Sequence, residues 1–383
     1  MVQGQSKASV TELLGNSPCF LLPPKNKLRK TQQKQTNMQI SLQQLRRALS
    51  AALFVLLLSL AGMKNALAQN QVATLQHNDS ITGVFYGQHA FVSAYNAAAN
   101  GDIITLSSGT FDNCNIAKSI TIHGAGCVYD SVTQVMPTII PGEFFIQHNN
   151  VSFEGVWIRG NGVTSYSGPE NVSFVKCNLD KIGVAHADNR ENWSFVNCIV
   201  KDFGGASDCQ YIGMTIINSV VRFTKYFHTN VSNPTTIINS IVLFDNSTNN
   251  ATHMANITAN NSIIQTVSGH VITDCSFFNC IGIKLGTSSL FDGITQNVMI
   301  VDNYDDVFET FTGTVSYDNN YQLKDEIATS FLGNDGTEVG IYGGIMPYNP
   351  RPNYMIIRSC NVAGRTNEDN KLSVEIELLN PDE

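Results

Sequence analysis

The sequence predicts an all-β protein whose main domain is a right-handed parallel β-helix with coils of about 21 residues. Three observations lead to this prediction: a motif that recurs after 21 residues, alternation of apolar and polar positions within it, and a residue suited to a sharp bend inside it. The motif reads NVSFVKCNL at 171–179 and NWSFVNCIV at 192–200. A fixed period of this length is typical of stacked units, each of which buries one face against its neighbours.

Seven copies of the motif align in columns of similar residues. The column defined by Cys177 contains Val156, Cys177, Cys198, Ser219, Ser240, Ser262 and Cys280. Three residues earlier lies an apolar column of Phe153, Phe174, Phe195, Ile216, Ile237, Ala259 and Phe277. Four residues before the Cys177 column, every residue is Ser or Thr. This alternation of apolar and polar positions has the period of a β-strand.

A bend is predicted at the residue just before the Cys177 column. That position holds Gly155, Lys176, Asn197, Asn218, Asn239, Asn261 and Asn279. Gly and Asn tolerate left-handed backbone angles, so one such residue between two short strands turns the chain sharply. Lys176 departs from this pattern, and we expect a slightly different bend there. We also expect the Asn side chains of successive coils to hydrogen-bond along the stack.

Charged residues follow the Cys177 column on the outside of the predicted stack. Three residues after the column come Arg159, Asp180, Lys201 and Arg222. Because neighbouring coils lie ~4.8 Å apart, Asp180 is expected between two cations. An exposed ion pair contributes under ~1 kcal/mol, so these charges would set the register of the coils more than their stability.

The sequence spacing of several cysteines matches the 21-residue repeat, and it does not match that of a metal-binding motif. Cys177 and Cys198 are expected to pack as small apolar side chains inside the stack. Adjacent coils would let them form a disulfide only if the geometry allowed it. The pairing of the eight cysteines after residue 69 therefore stays open.

The N-terminal region predicts export. Residues 38–68 combine two arginines, a short uncharged apolar run and the Ala66-Leu67-Ala68 cleavage pattern, which together indicate a signal peptide cleaved before Gln69. A membrane anchor or a buried helix is the alternative. Residues 1–37 are interpreted as an over-long start or a disordered segment. The protein would then be secreted or held at the cell surface, with no membrane span after cleavage.

The net charge of the chain after the predicted signal peptide argues against nucleic acids as partners. Residues 1–68 hold nine of the 23 basic residues and one of the 31 acidic ones, so the remaining chain carries 14 and 30, a net charge of −16. A protein with this charge repels phosphate backbones, so we expect no nucleic-acid binding.

The ends of the stack are expected to be covered, because open strand edges invite aggregation. The β-helix domain is predicted over 69–333, with an N-terminal helical cap near 88–99. Residues 334–383 are predicted to form a C-terminal cover or a small β-element, and their alternating pattern indicates a strand at 372–378.

The opening strands and the coils carry a resemblance to a known group. ANGDIITLSSGTF, SITIHGAG and the coils that follow resemble the secreted right-handed parallel β-helix proteins of bacteria, the pectate-lyase-like superfamily, over roughly 85–320. DGTEVGIYGG at 335–344 is similar to the closing segment of uncharacterised exported β-helix proteins of Gram-negative bacteria. The resemblance implies the fold and long carbohydrate chains as the first substrate class. It says little about activity, since this fold carries lyases, glycoside hydrolases, esterases, adhesins and scaffolds.

The enzyme motifs of that superfamily are present only in fragments. Its glycoside hydrolases need two or three carboxylates and show Asn-Thr-Asp, Asp-Asp and Gly-His-Gly motifs. This sequence has the pair Asp305-Asp306, it has Gly269-His270 followed by Val271, and it has no Asn-Thr-Asp. Its pectate lyases hold calcium with acidic residues, and calcium binding stays open here.

Several polar residues cluster in the predicted return loops of three consecutive coils. They are His186, Asp188, Arg190, Asp208, Lys225 and His228. A His with a nearby Asp can act as a general base, and Arg190 or Lys225 could hold an acidic sugar. The alternative is that these are ordinary polar residues of exposed loops. Trp157 lies in an outward column and is a candidate for stacking on a sugar ring, whereas Trp193 is expected in the core.

We expect an exported, non-catalytic and monomeric protein that binds a polysaccharide or a cell-surface glycan, or acts as an adhesive scaffold. Contact would be multivalent, along a flat and regular face. The alternative is a polysaccharide lyase or glycoside hydrolase with its site in the return loops around 184–230. A third interpretation is a structural surface protein without a ligand. The sequence predicts no cofactor and does not identify the glycan.

Overall fold

The computed structural model of the 383-residue chain describes residues 71–131, 135–165, 168–184, 189–204, 210–224, 228–229, 233–244, 253–267, 271–285, 294–352, 356–366 and 372–379. Side-chain surroundings are not described at 184, 228–229, 253–254, 271–273, 356–366 and 372–379. These residues all belong to one compact unit, Ala66–Glu383. The predicted signal peptide, 38–68, and the preceding residues 1–37 lie outside the described residues.

The described chain is built almost entirely of short strands. In chain order the elements are β1 (Val72–His77), β2 (Ser80–Tyr86), α1 (Ala90–Ala97), β3 (Asp102–Leu106), β4 (Gly109–Thr110), β5 (Ile120–His123), β6 (Thr138–Ile146), β7 (Val151–Glu154), β8 (Val156–Ser165), β9 (Val172–Val175), β10 (Asn178–Leu179), β11 (Ile182–Val184), β12 (Arg190–Glu191), β13 (Ser194–Val196), β14 (Ile199–Gly204), β15 (Gln210–Ile212), β16 (Thr215–Ile217), β17 (Val220–Phe223), β18 (His228–Thr229), β19 (Thr235–Ile238), β20 (Ile241–Phe244), β21 (His253–Ala255), β22 (Ile257–Asn260), β23 (Ile263–Val267), β24 (Val271–Thr273), β25 (Ser276–Leu285), β26 (Ile294–Val301), a 3₁₀ helix (Tyr304–Asp306), α2 (Asp325–Ser330), β27 (Ile356–Thr366) and β28 (Leu372–Leu379).

Strands of successive coils pair in parallel and form the sides of a β-helix, as the repeat predicts. The first stack consists of β3, β5, β7, β9, β13, β16, β19, β22 and the N-terminal parts of β25 and β26. The second stack consists of β4, β6, β8, β10, β11, β14, β17, β20, β23 and the C-terminal parts of β25 and β26. A third side carries the parallel pairings β12–β15–β18 and β21–β24. The predicted parallel β-helix with coils of ~21 residues is therefore confirmed.

The core lies inside the coils, where the residues of the apolar column and of the Cys177 column are fully buried. Phe174 stacks face to face between Phe153 and Phe195, with ring centroids 5.5 and 5.4 Å apart. Trp193 is fully buried, as expected, and its indole N–H donates to the carbonyl of Pro169 at 2.8 Å. A continuous ladder of rings and branched side chains therefore runs along the interior of the stack.

Cys177 and Cys198 lie in the same interior. Both are fully buried free thiols, and they donate to the carbonyls of Phe153 at 3.5 Å and Phe174 at 3.3 Å. Burial raises the pKa of the Cys177 thiol well above its usual value, and the neighbouring Cys198 adds to the rise. The expectation that these cysteines pack as small apolar side chains is confirmed.

Every residue of the predicted bend column has a left-handed backbone. The φ angles are 65° at Gly155, 52° at Lys176, 55° at Asn197, 44° at Asn218, 47° at Asn239, 50° at Asn261 and 50° at Asn279. The expectation of a different bend at Lys176 is wrong. Its backbone N–H donates to Val196 at 2.8 Å, as that of Asn197 does to Ile217 at 3.0 Å, so the ladder between coils imposes the same turn on Lys.

A second bend, which the sequence analysis missed, precedes six strands of the first stack: β7, β9, β13, β16, β22 and β25. Left-handed residues there are Asn150, Asn171, Asn192, Gly213, Asn256 and Asp274. Asn171 donates its side-chain amide to Asn150 at 3.0 Å, and Asn192 donates to Asn171 at 3.1 Å. Bonding of Asn along the stack is thus found in this unpredicted column. In the predicted column the structure shows it at the last coils, from Asn297 to Asn279 at 2.7 Å.

The N-terminal end carries the predicted helix together with a hairpin that was not predicted. Helix α1 buries Phe91, Tyr95 and Ala98 against the core, as its spacing indicates. Before it, β1 pairs antiparallel with both β2 and β3. The hairpin turns at Asn78 and Asp79, whose φ angles of 47° and 62° suit a two-residue turn.

Residues 303–349, called the covering segment here, form a second apolar core on the outside of the second stack. The stack contributes Ile199, Val220, Ile241, Leu243, Ile263, Ile281 and Ile283. The covering segment contributes Val307, Phe308, Phe311, Val315, Tyr321, Leu323, Phe331, Val339 and Ile341. The outer face of the second stack is therefore buried along several coils. Beyond the segment, β27 and β28 pair antiparallel, and β28 corresponds to the predicted final strand.

The bend column fastens this segment to the stack. Asn218 donates to the carbonyls of Ile341 at 2.9 Å and Gly343 at 2.8 Å. The side chain of Asn261 donates to Asn334 at 2.9 Å and accepts from its backbone N–H at 3.0 Å. The Asn residues that turn the coils thus also bind the backbone and side chains of the covering segment.

Candidate functional site

The return-loop residues suggested by the sequence are only partly placed by the structure. His186, Asp188, Asp208 and Lys225 lie outside the described residues. His228 belongs to β18, which pairs with β15, and its side-chain surroundings are not described. Whether these side chains come together as the sequence suggests stays a prediction.

Arg190 is placed, and it is fully buried in strand β12. Its Nε donates to the hydroxyl of Ser165 at 2.7 Å and its Nη2 donates to the carbonyl of the same residue at 3.3 Å. Its Nη1 finds no acceptor within the part of the chain that the structure describes. A buried guanidinium is costly without an anionic partner. In this conformation the side chain is enclosed by protein, so a sugar cannot reach it from solvent.

Trp157 lies on the outer face of β8, in the outward column that the sequence predicts, and it is half-buried. Tyr317 of the covering segment packs edge-on against it, with ring centroids 5.3 Å apart. The guanidinium of Arg159 lies 5.6 Å from the centre of the indole ring. These two neighbours occupy part of the ring surface that a sugar would need for stacking.

Asp180 joins the same cluster as an acceptor. It receives the hydroxyl of Tyr317 at 2.6 Å and the backbone N–H of Gly160 at 2.7 Å, and it pairs with Lys201 at 3.3 Å. The ion pair with Lys201 is the one expected from the coil spacing, whereas Arg159 lies over Trp157.

The pKa values of Asp180 and Tyr317 are shifted in opposite directions by this contact. Burial alone would raise the pKa of Asp180, but the hydrogen bonds from Tyr317 and Gly160 and the charge of Lys201 outweigh it, so the pKa lies below its usual value. Burial raises the pKa of Tyr317, and the hydrogen bond to Asp180 raises it further. Asp180 is therefore a charged anchor that holds the covering segment on the stack.

Other motif fragments give no assembled site. Asp305 and Asp306 lie in the exposed 3₁₀ helix after the last strand of the stack. Gly269 and His270 lie outside the described residues. Among the described residues, no group of three or more His, Cys, Asp and Glu side chains is placed to hold a metal ion.

The outer face of the first stack presents two regular rows of side chains. The hydroxyl row contains Ser152, Ser173, Ser194, Thr215, Thr236, Thr258 and Ser276, and all are half-buried. Two residues further along each strand, the second row includes Val175, Val196, Ile217 and Ile238, also half-buried. Parallel register aligns the rows coil by coil, and Ser194 donates to Ser173 at 3.0 Å. The Ser/Thr column of the sequence is the signal that locates this face.

No protein-family model matches the chain, and no curated protein matches it in sequence. Within the described ranges, no helix is both long enough and apolar enough to cross a membrane. The structure shows a parallel β-helix with coils of ~21 residues, the fold that the resemblance to the pectate-lyase-like superfamily implies. Membership of that superfamily stays a prediction.

Proposed function

We propose that this protein is an exported, non-catalytic β-helix protein of the pectate-lyase-like type that binds an extended glycan along the outer face of the first stack. It acts as a monomer, either released or at the cell surface. The observation that carries the proposal is the pair of aligned rows on that face, one of hydroxyls and one of branched apolar side chains.

The geometry of the rows suits a linear sugar polymer. Each of the four coils from β9 to β19 offers one hydroxyl and one branched apolar side chain, and the pattern repeats every ~4.8 Å along the stack. This spacing is close to the length of one sugar unit in an extended chain. A hydroxyl bonds to the polar edge of a sugar, while Val or Ile packs against its C–H face. Single contacts of this kind are weak, but a chain that meets several coils at once binds by their sum.

The charges of the face favour a neutral glycan. From β9 to β19 both rows are uncharged: they consist of Ser173, Val175, Ser194, Val196, Thr215, Ile217, Thr236 and Ile238. An acidic polymer would need cations to compensate its charge, and the net charge of −16 after residue 68 would repel it. The outer face of the second stack is covered by residues 303–349 and is not available in the same way.

The test is gel retardation of the purified protein by a panel of neutral and acidic polysaccharides, with and without calcium. The variant Thr215→Lys/Thr236→Lys places two long cations on the face, and Ile345→Lys, at a residue that is 99% exposed elsewhere, is the matched control. We expect neutral polysaccharides to retard the wild type and the control but not the double variant, with unchanged circular dichroism.

The other outcomes contradict the proposal. New reducing ends or unsaturated products on any polysaccharide would show an enzyme and favour the lyase or hydrolase alternative in the loops around 184–230. Retardation that the double variant keeps would place the binding surface elsewhere. Absence of both retardation and turnover across the panel would favour a structural scaffold without a glycan ligand.

A further inference from the structure

A groove of about 190 Å³ lies where the outer face of the second stack meets the covering segment. Its floor is formed by the second stack and its opposite wall by the covering segment. The residues that matter most for its chemistry are Arg222, Leu243, Gln265, Tyr304, Thr312 and Thr314. All belong to the described part of the chain, and none is among the candidate binding residues suggested by the sequence.

The floor follows directly from the parallel register. Arg222 in β17 pairs with Leu243 in β20, which pairs with Gln265 in β23. The three side chains therefore stand side by side on one outward column, ~4.8 Å apart. The amide of Gln265 is almost fully buried, and its Nε2 donates to the carbonyl of Phe244 at 3.3 Å. This contact fixes the plane of the amide at the bottom of the groove.

The opposite wall is held by a contact that requires glycine. Gly313 has a φ of 95°, and a Cβ at this position would come within 2.5 Å of the ring of Tyr304. The ring therefore lies directly against the backbone of the segment. Tyr304 also packs edge-on against Phe311, with centroids 5.4 Å apart. Both contacts fix the ring at the side of the groove, next to the exposed hydroxyl-bearing residues Thr312 and Thr314.

The mixture of groups is that of a site for a small polyhydroxylated ring. The ring of Tyr304 offers apolar contact, while a guanidinium, an amide and two hydroxyls offer hydrogen bonds in several directions. The groove has a volume of about 190 Å³. It is smaller than the sites of ~300–1,000 Å³ that take drug-sized ligands, so it accommodates a single pyranose ring and not a run of polymer.

We propose that this groove binds one sugar ring, with the ring packed on Tyr304 and its hydroxyls bonded to Gln265, Arg222, Thr312 and Thr314. The ring is either a free monosaccharide or the terminal unit of a glycan. This site is separate from the outer face of the first stack, so each can be present without the other.

The experiment is saturation-transfer NMR on the purified full-length protein with glucose, galactose, mannose and N-acetylglucosamine, and with their β-linked and α-linked trisaccharides. The variant Thr312→Val/Thr314→Val keeps the shape of two exposed side chains and removes both hydroxyls, and Thr329→Val in α2 is the matched control. We expect at least one sugar to receive saturation in the wild type. Loss of each hydroxyl is expected to weaken its binding about fivefold, as for one hydrogen bond.

The two sources of the ring separate in the same experiment. Binding of a free sugar without binding of its trisaccharides indicates a free monosaccharide as the ligand, whereas binding of a trisaccharide with saturation confined to one terminal unit indicates the end of a glycan. Saturation spread over all three units would contradict a one-ring site. So would the absence of transfer to every sugar, or transfer that the double variant leaves unchanged. The variant Thr215→Lys/Thr236→Lys must keep the signal, which distinguishes failure of this site from failure of the polymer-binding face.

Discussion

Replacing Asn218 by Gly tests how strongly the covering segment is fastened to the stack. Asn218 has a φ of 44° and is almost fully buried, and its amide donates to Ile341 at 2.9 Å and to Gly343 at 2.8 Å. Gly adopts the left-handed angle without strain. The variant therefore removes the two side-chain hydrogen bonds and leaves the bend of the coil intact.

The size of the effect follows from burial. A buried hydrogen bond contributes about 1 kcal/mol net, and a buried carbonyl left without a donor costs about 1–3 kcal/mol. The greater backbone freedom of Gly in the unfolded chain adds about 0.5–1 kcal/mol. We therefore expect Asn218→Gly to lower the free energy of unfolding by about 3 kcal/mol. Asn171→Gly is the matched control, because Asn171 is exposed and water replaces its lost bonds, so a loss of ~1 kcal/mol from the backbone freedom of Gly is expected.

Equilibrium unfolding in urea measures both variants, and limited proteolysis reports on residues 303–349. Asn218→Gly should show a lower midpoint and faster cleavage within the covering segment, while Asn171→Gly should leave the cleavage rate unchanged. Equal losses in the two variants would refute the reasoning. So would wild-type cleavage of the segment in Asn218→Gly, because the contacts with Ile341 and Gly343 would then not hold it.

Three further predictions concern the core, the covering segment and the charge that anchors it. Phe195→Ala opens a gap in the stacked interior and should cost about 3–5 kcal/mol in urea unfolding; a loss under ~1 kcal/mol would mean that the ring ladder is loosely packed. Gly343→Ala places a Cβ 1.7 Å from a backbone carbonyl oxygen. It should destabilise the protein more than Gly336→Ala, whose Cβ meets nothing within 4 Å and whose only cost is the strain of Ala at a φ of 76°. Equal melting temperatures for the two variants would count against the tight path of the segment. The lowered pKa of Asp180 contributes stability that is present above the pKa of the unfolded chain and is lost as pH falls through the folded value. Tyr317→Phe removes one hydrogen bond that lowers this pKa, so the folded and unfolded pKa values of Asp180 lie closer together. The stability lost on acidification should therefore be smaller than in the wild type and the loss complete at a higher pH, and an unchanged pH profile of unfolding would contradict the contact.

The fold was predictable because its determinants recur every 21 residues. The interior column from Phe153 to Phe277 repeats the need for a buried apolar side chain, and the bend column from Gly155 to Asn279 repeats the need for a left-handed backbone. The structure of one coil therefore predicts that of the next. Lys176 shows the limit of this argument. Its residue type disfavours a left-handed backbone, but hydrogen bonds to the neighbouring coil override that preference.

The covering segment was not predictable in the same way. Its residues have no period, and its partners lie far away in sequence: Asn218 binds Ile341 and Gly343 across more than 120 residues. The second bend column was missed for a different reason. It begins at Asn150 and is interrupted at Pro234, one coil after Gly213, so it is shorter than the columns aligned on Cys177.

The candidate site was the least predictable part. Arg190 is a charged residue in a predicted return loop and was expected to be exposed, yet it is buried in β12 and hydrogen-bonded to Ser165. Trp157 lies outward as expected, but Tyr317, 160 residues later, packs on it. Contacts between a repeat and an irregular segment depend on the path of that segment, and a column alignment carries no information about it.

The covering segment also makes complete and incomplete chains differ in their exposed surface, because only a chain that contains residues 303–349 can cover the outer face of the second stack. During synthesis the coils can form in order. The strip formed by Ile199, Val220, Ile241 and Ile263 stays exposed to solvent until residues 303–349 have been synthesised and can pack on it. A chain that stops before residue 303 would expose that strip as a continuous apolar patch, which favours aggregation. Premature termination and C-terminal clipping would therefore yield chains that aggregate or are degraded, and full-length molecules would dominate the folded population.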